Sequence, residues 1–186
     1  MNYLGDAMLG MNMEIEGFTF RDIKKNELDK VLQIYNNDSA ETQFAIGSSR
    51  NMSIKELEEK YLEVLISSHE FFVGIFSKTS NELIGVIKGR IDYDKNDEVW
   101  ITSFIIKEEY RNKGIGNKTI NAFISYMHKT YDVKSFSAGV ISKNIKGINF
   151  WSKAGFKHIR TIERYIDINN NFEDFIILKK EIKRSK

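Results

Sequence analysis

Apolar residues recur along the chain with two spacings, one typical of strands and the other of helices. Alternating or continuous apolar runs predict seven strands, over residues 17–21, 71–76, 83–91, 99–106, 135–141, 158–166 and 172–178. Spacings of three and four residues predict helices over residues 28–35, 54–65, 120–127 and 145–154. The resulting order, β α α β β β α β α β β, indicates a layered α/β or α+β sheet.

Local signals support these boundaries. Asn26 has the side chain of a helix N-cap, and Ser53 with Glu56 forms the pattern of a capping box. Gly155 is well placed to end the last helix. The run 99–106 is apolar on both alternating faces, which is typical of a central strand covered on both sides. The polar stretches 36–50 and 169–171 predict a loop and a turn.

Composition restricts the chemistry that is open to the chain. With 186 residues and 41% hydrophobic residues, it has the size and apolar content of one folded domain. It contains no cysteine and three histidines without HxxxH spacing, so we expect no disulfide, no metal site and no cysteine nucleophile. No apolar run is long enough for a membrane span and no signal peptide is evident, so we expect a cytoplasmic protein without a membrane partner.

We therefore predict an N-terminal extension over residues 1–16, a single domain over 17–182 and a basic tail over 183–186. The net charge is +2, and the last eight residues carry five basic side chains and one acidic side chain. Because the body of the chain lacks a basic stripe, we interpret the tail as a solvated terminus and expect no nucleic-acid partner.

A glycine-rich turn lies between a predicted buried strand and a predicted amphipathic helix. Gly114 and Gly116 follow Arg111 and Lys113. Backbone N–H groups at the start of a helix favour anions, and glycines let the backbone approach a phosphate closely. The turn therefore predicts a phosphate-binding site.

Three phosphate-binding patterns compete for this turn. The Walker A pattern is a glycine, four residues of any type, and then Gly-Lys followed by Ser or Thr. This pattern is absent from the chain. The dinucleotide fingerprint requires a third glycine, which is missing after Gly116. The remaining pattern, RxxGxG, is matched by Arg111, Gly114 and Gly116. Its position between a strand and a helix supports it.

A second segment narrows the choice. Residues 144–156 read NIKGINFWSKAGF, and with residues 106–116 they closely resemble the GNAT-type N-acetyltransferase superfamily. The first block is similar to the family's RxxGxG loop for the acetyl-CoA pyrophosphate, and the second to its NxxAxxFYxKxGF block. The resemblance implies a mixed, strongly twisted central sheet of about seven strands flanked by about four helices. It also implies that the sheet is splayed between its fourth and fifth strands.

The resemblance also implies which residues hold acetyl-CoA. The backbone of Phe104 and Ile106 would bind the pantetheine arm, N–H groups of the turn would bind the pyrophosphate, and Arg111 would support the turn. Asn144 would contact the cofactor, although its side chain also suits a simple helix cap. The full set is Phe104, Ile105, Ile106, Arg111, Asn112, Lys113, Gly114, Ile115, Gly116, Asn117, Asn144 and Trp151.

The implied chemistry is direct acyl transfer from the thioester to a primary amine. Glu98 is the candidate general base, because strand alternation would place it on the face of Phe104 and Ile106; its alternative is a solvated charge at the strand end. Asp97 and Glu108 are weaker candidates. Trp151 stands where relatives often have a tyrosine, and an indole does not titrate usefully, so it cannot serve as a general acid. Either Ser152 or Tyr165 serves instead, or the thiolate leaves without help.

The substrate is left open by the sequence. The loop expected to contact it contains Asn37, Asp38, Glu41, Gln43 and Phe44, and acidic residues would suit a cationic amine. The leading hypothesis is an acetyltransferase acting on a primary amine of a small molecule or protein. The alternatives are a protein N-terminal or lysine acetyltransferase, a CoA-binding module without turnover, and a nucleotide-binding regulatory domain. A homodimer is a further expectation, since similar folds often dimerise.

Overall fold

The computed structural model describes residues 9–37, 50–93, 97–168 and 171–182. A mixed eight-stranded sheet has the order β1-β2-β3-β4-β5-β6-β8-β7. Its strands are β1 (Asn12–Ile15), β2 (Phe18–Asp22), β3 (Glu70–Ser77), β4 (Leu83–Asp92), β5 (Glu98–Ile106), β6 (Ser135–Ile141), β7 (Lys157–Ile168) and β8 (Asn171–Glu181). The helices considered below are α1 (Leu28–Tyr35), α2 (Ile54–Leu65), α3 (Ile115–Tyr131) and α4 (Ile145–Lys153). The predicted fold class is confirmed.

The sheet has one strand more than the sequence predicted. β1 pairs antiparallel with β2, and Gly17, with φ +85°, lies in the turn between them. Apolar and polar residues do not alternate clearly in this part of the chain, so the sequence pattern did not predict β1. The splay predicted between the fourth and fifth strands therefore falls between β5 and β6 in the numbering used here.

That splay is present. β5 and β6 run parallel and pair only from Glu98 with Ser135 to Ile101 with Ala138. Beyond this point β5 continues along β4 as far as Ile106, whereas β6 continues along β8. The two strands therefore enclose a wedge-shaped gap that opens toward the end of β5.

Each face of the central sheet carries its own core. α3 and α4 pack on one face, where Phe123 and Trp151 meet strand residues such as Phe71 and Phe136. α1 and α2 pack on the other face, in the cluster that contains Ile105. This two-sided burial confirms the prediction that 99–106 is a central strand.

A β-bulge in β5 changes which side chains share a face. Lys88 pairs with Ser103 and Gly89 pairs with Ile101, so Thr102 is an extra residue on β5. Ile101 and Phe104 consequently belong to the same core, that of α3 and α4. Glu98 alternates with Val99, which also belongs to that core, and so faces away from it. The prediction that Glu98 shares the face of Phe104 and Ile106 is therefore wrong.

Two of the three predicted helix ends are confirmed. Glu56 N donates to Ser53 Oγ over 3.3 Å and Ser53 N donates to Glu56 Oε2 over 2.8 Å, which completes the capping box. Gly155 follows α4 with φ +91°. The cap predicted at Asn26 is wrong, because residues Lys25–Glu27 form a short 3-10 turn and α1 begins after it.

Parts of several predictions lie outside the described residues. They are the loop residues 38–49, which include most of the expected substrate contacts, the turn residues 169–170 and the tail 183–186. None of the helices in the described part of the chain combines the length and apolarity that a bilayer crossing requires.

Candidate active site

A cavity of about 680 Å³ occupies the gap between β5 and β6 and extends to the start of α3 and to α4. Ten of the twelve predicted cofactor residues line it: Phe104, Ile105, Ile106, Arg111, Asn112, Gly114, Gly116, Asn117, Asn144 and Trp151. Lys113 and Ile115 belong to the same turn but do not line it, and neither does the predicted base Glu98. The fold thus brings two distant sequence blocks to one cavity.

The start of α3 presents unsatisfied backbone donors to this cavity. Gly114 is the N-cap residue, with φ +74°, and no side chain caps the helix there. A Cβ built at Gly114 would have no atom within 4 Å, so the space beside it is open. Uncapped N–H groups in the first turn, together with the helix dipole, make this end of the cavity suitable for an anion.

Hydrogen bonds anchor the turn that precedes α3. Arg111 Nε donates to the Ile106 carbonyl over 2.7 Å, which ties the turn to the end of β5. Glu82 accepts from Lys107 Nζ over 2.6 Å and from the Tyr110 hydroxyl over 2.7 Å. These hydrogen bonds hold the pKa of Glu82 below its usual value, with Lys107 the larger cause, and raise the pKa of Tyr110. Arg111 therefore links the turn to the end of β5, and its role toward a cofactor stays a prediction.

The free edge of β5 faces the gap. Lys107 N donates to the Ile84 carbonyl over 2.8 Å, which directs the backbone groups of Lys107 toward β4. Because the backbone groups of successive strand residues point to opposite edges, those of Ile106 and Phe104 point away from β4 and into the gap. An extended ligand could pair with this edge as an added strand does, although Arg111 already occupies the Ile106 carbonyl.

Gly116 makes room for an aromatic ring. A Cβ at Gly116 would lie 3.1 Å from Phe150 Cε2, so a larger residue would displace the ring. Phe150 stacks on Phe104 with ring centroids 5.4 Å apart and lines the cavity. Phe150 was not among the cavity residues predicted from the sequence. Its place next to Trp151 in the second block was the available signal.

Residues 144–156 contribute a helix cap and aromatic side chains that line the cavity. Asn144 is buried and caps α4, its Oδ1 accepting from Gly147 N over 2.8 Å. The cap is therefore present, and the role toward a cofactor stays a prediction. Trp151 is a core residue that also lines the cavity, and its ring lies 4.7 Å from that of Phe156.

These residues fit an extended cofactor that carries phosphates, such as acetyl-CoA. One end of the cavity has an uncapped helix start, and the other lies along a strand edge. The side-chain oxygen of Asn117 is buried and has no hydrogen-bond partner among the residues that the structure describes. Among the residues that the structure describes, no group of three or more acidic or histidine side chains could hold a metal ion.

Glu98 lies at the closed end of the gap and not in the cavity lining. Its side chain is buried, it accepts a hydrogen bond from the Ser137 hydroxyl, and Lys179 Nζ lies 3.1 Å from its other oxygen. A carboxylate with these two partners links β5, β6 and β8. Its geometry favours a structural role, and the role of base stays a prediction.

The weaker candidates for proton transfer do not all lie in the cavity. Glu108 lines the cavity with an exposed side chain, whereas Asp97 pairs with Lys134 outside it. Ser152 and Tyr165 do not line the cavity, and Tyr165 stacks on Phe175. Ser103 does line it and was missed, because no local pattern marks a serine in a bulge.

Comparisons with known proteins identify the family and the fold. The family model for the acetyltransferase (GNAT) domain matches residues 20–177. Spermine/spermidine N(1)-acetyltransferase of Bacillus subtilis is 33% identical over 69 residues, which are 36% of this chain and 45% of that protein. The match thus spans less than half of that relative. An N-alpha-acetyltransferase of Saccharolobus solfataricus is 24% identical over 157 residues, covering 80% of this chain and 85% of that protein.

A solved structure shares the fold. The spermidine N-acetyltransferase of Vibrio cholerae, in complex with CoA and spermine, superimposes with a TM-score of 0.78 at 20% sequence identity. The alignment covers 90% of this chain and 96% of that one. At this level of identity the likeness establishes the architecture of the sheet and its helices.

Proposed function

The chain belongs to the acetyltransferase (GNAT) family, and from this premise we propose that it transfers an acetyl group from acetyl-CoA to a primary amine. The observation that carries the proposal is the cavity in the β5–β6 gap, which connects an uncapped helix start to a free strand edge. This combination matches two adjoining parts of acetyl-CoA, the pyrophosphate and the extended pantetheine arm.

Each part of the cavity has a task in this proposal. N–H groups of the turn from Asn112 to Asn117 hold the pyrophosphate, and the backbone of Phe104 and Ile106 aligns the arm. Phe150 and Trp151 pack along the arm and exclude water. Acetyl-CoA supplies an activated acetyl thioester. Because the chain has no cysteine, we propose direct transfer to the amine without a thiol intermediate on the protein.

We propose a small aliphatic polyamine as the acceptor class. The support comes from the relative named for spermine and spermidine and from the similar fold of the enzyme solved with CoA and spermine. A second candidate is the α-amine of a protein, because an N-alpha-acetyltransferase matches over most of both chains. The two acceptors differ in size and charge, so the same assay separates them.

The test measures thiol release from acetyl-CoA by the full chain with spermidine, spermine and a peptide that has a free N-terminus. Since the protein contains no cysteine, every thiol detected comes from CoA. We expect the polyamines to be used with a kcat/KM at least about tenfold above that of the peptide.

Two other outcomes would change the conclusion. A peptide used better than the polyamines would favour the second candidate. Binding of acetyl-CoA in calorimetry without release for any amine would indicate a CoA-binding module, and absence of binding would overturn the proposal.

A further inference from the structure

The turn that precedes α3 has an unusual backbone conformation. Asn112 has φ +58° and Gly114 has φ +74°, so two residues of the turn lie in the left-handed region. A residue other than glycine is uncommon there, and it keeps such a conformation where the surrounding structure holds it. The direction of the N–H groups in this turn therefore depends on the contacts that fix the turn.

Glu82 supplies such contacts from the turn between β3 and β4. That turn is itself fixed, because Ser77 N donates to the Glu82 carbonyl over 2.9 Å and Asn81 N donates to the Ser77 carbonyl over 2.8 Å. The Glu82 carboxylate accepts from Lys107 Nζ over 2.6 Å and from the Tyr110 hydroxyl over 2.7 Å. These two partners lie 25 and 28 residues further along the chain. One side chain thus joins the β3–β4 turn to the segment before α3.

Tyr110 connects Glu82 to the turn that precedes α3. It comes directly before Arg111 in the chain, and its ring is partly buried against the core of α3 and α4. The ammonium of Lys113 lies 5.9 Å from the centre of the same ring, within the range of a cation–π contact. Both neighbours of Asn112 are therefore tied, Arg111 to the end of β5 and Lys113 to the Tyr110 ring.

We infer that Glu82 is a positioning residue, which holds this turn through Tyr110 in the conformation that receives the pyrophosphate of CoA. The inference rests on the proposed function, in which N–H groups of the turn bind that pyrophosphate. A site that is ordered before its ligand arrives avoids the entropy cost of ordering during binding, so its affinity is higher. Glu82 does not line the cavity, and so it acts on the turn and not on the ligand.

The charge of Glu82 gives the inference a sign that can be measured. CoA is an anion, so removal of a nearby negative charge by itself strengthens its binding. Loss of a positioning contact weakens binding instead. Glu82→Ala should therefore weaken CoA binding by about fivefold, against the electrostatic effect. Tyr110→Phe removes a hydroxyl without a change in net charge and should weaken CoA binding to a similar extent, about fivefold.

Glu56→Ala is the matched control. Glu56 also accepts from one cationic and one hydroxyl side chain, those of Arg50 and Ser53. It lies in the first turn of α2 and does not line the cavity. The control variant removes the same charge as Glu82→Ala and loses a helix cap, so it should be less stable in urea. Its affinity for CoA should equal that of the parent.

Calorimetric titration of the full chain with CoA measures the affinities, and urea denaturation measures the stabilities. A second acyl donor then locates the effect within the cavity. S-acetylpantetheine has the thioester arm but no pyrophosphate, so the turn has no phosphate to bind. In thiol release with spermidine, Tyr110→Phe should lower kcat/KM for acetyl-CoA about fivefold and change kcat/KM for S-acetylpantetheine less than about twofold.

The outcomes separate this inference from the proposed function. An unchanged or higher CoA affinity in Glu82→Ala or Tyr110→Phe would overturn the role of Glu82, whatever the activity. An equal loss with both donors, or an equal loss of affinity in Glu56→Ala, would overturn it as well. Weaker CoA binding in Glu82→Ala and Tyr110→Phe alone, without acetylation of any amine, would support the role of Glu82 and overturn the proposed transferase. Absence of CoA binding by the parent would overturn both.

Discussion

Among single residues, Asp22 shows the cost of a buried polar atom. Its Oδ2 accepts from Met11 N over 3.0 Å, whereas its Oδ1 is buried without a partner in the described part of the chain. Burial raises the pKa of the carboxyl, and the hydrogen bond from Met11 opposes this rise. Burial therefore disfavours the charged form inside the fold more than in the unfolded chain.

This shift predicts a pH dependence. A raised pKa means that the folded state binds the proton more tightly than the unfolded chain, whose carboxyl titrates near 3.8. The stabilisation is present below that value and is lost as the pH rises through the folded pKa. Asp22→Asn should remove this loss and make the protein more stable than the parent at pH 7.

The free energy of unfolding in urea, measured from pH 4 to pH 7, tests the prediction. Asp132→Asn removes an exposed carboxylate and serves as the control for surface charge. The parent should lose more stability across this range than Asp22→Asn. Parallel curves for the two proteins would contradict the assignment of the pKa shift to Asp22.

At the scale of elements, the start of α3 combines an unusual backbone conformation with a position in the cavity lining. Gly114 has φ +74° and Gly17, in the β1–β2 turn, has φ +85°. Neither glycine would bring a Cβ within 4 Å of another atom. Alanine at either position therefore introduces the same backbone strain without a clash, but only Gly114 lies in the cavity.

A comparison of alanine variants at these two glycines separates the effect of backbone strain from an effect on CoA binding. Gly114→Ala and Gly17→Ala should each cost about 1 kcal/mol of stability, because an L-residue is disfavoured in the left-handed region. Gly114→Ala should also weaken CoA binding by about tenfold, since relaxation of the strain redirects the N–H groups of the turn. Calorimetric titration with CoA and urea denaturation measure the two effects. Equal CoA affinity in both variants would argue against the turn as the phosphate site.

On the scale of the whole molecule, β5 and β6 are hydrogen-bonded at one end of the gap and separated at the other. The backbone of β5 and β6 is paired only up to Ile101 and Ala138. Glu98 adds a side-chain link at this closed end, because its partners Ser137 and Lys179 lie on β6 and β8. The link therefore lies where the two strands are still paired, and they diverge beyond Ile101 and Ala138.

Replacement of Glu98 tests whether it is a link or a base. Glu98→Ala should cost about 3 kcal/mol of stability, because it leaves Lys179 largely buried without its partner. Glu98→Gln keeps the hydrogen bond with Ser137 and should cost less. As a structural link, Glu98 should change kcat by less than about tenfold in the glutamine variant, whereas loss of a general base costs about a hundredfold or more.

Stability in urea and the pH dependence of kcat distinguish these roles for Glu98. Loss of the acidic limb of the pH–rate profile in Glu98→Gln, with unchanged stability, would establish it as the base. The opposite pattern would establish the link between the strands.

The order of strands and helices could be predicted from the sequence, because hydrophobic period and end signals are local. Ser53 with Glu56 and Gly155 ended their helices as predicted. The match of residues 106–116 and 144–156 to two family blocks was likewise readable without coordinates. The strand Asn12–Ile15 was not predicted, since its formation depends on pairing with β2 and not on its own apolar pattern.

Tertiary structure decided what the side chains at the gap can do. A single extra residue in β5 reversed the face on which Glu98 lies, and the partners of Glu98 come from two other strands. The contact between Gly116 and Phe150 likewise joins positions that are distant in the chain. The sequence by itself determined the order of the elements and the position of the glycine turn, because both follow from local spacing. The polar groups available for chemistry were decided by strand register and packing, which no local pattern contains.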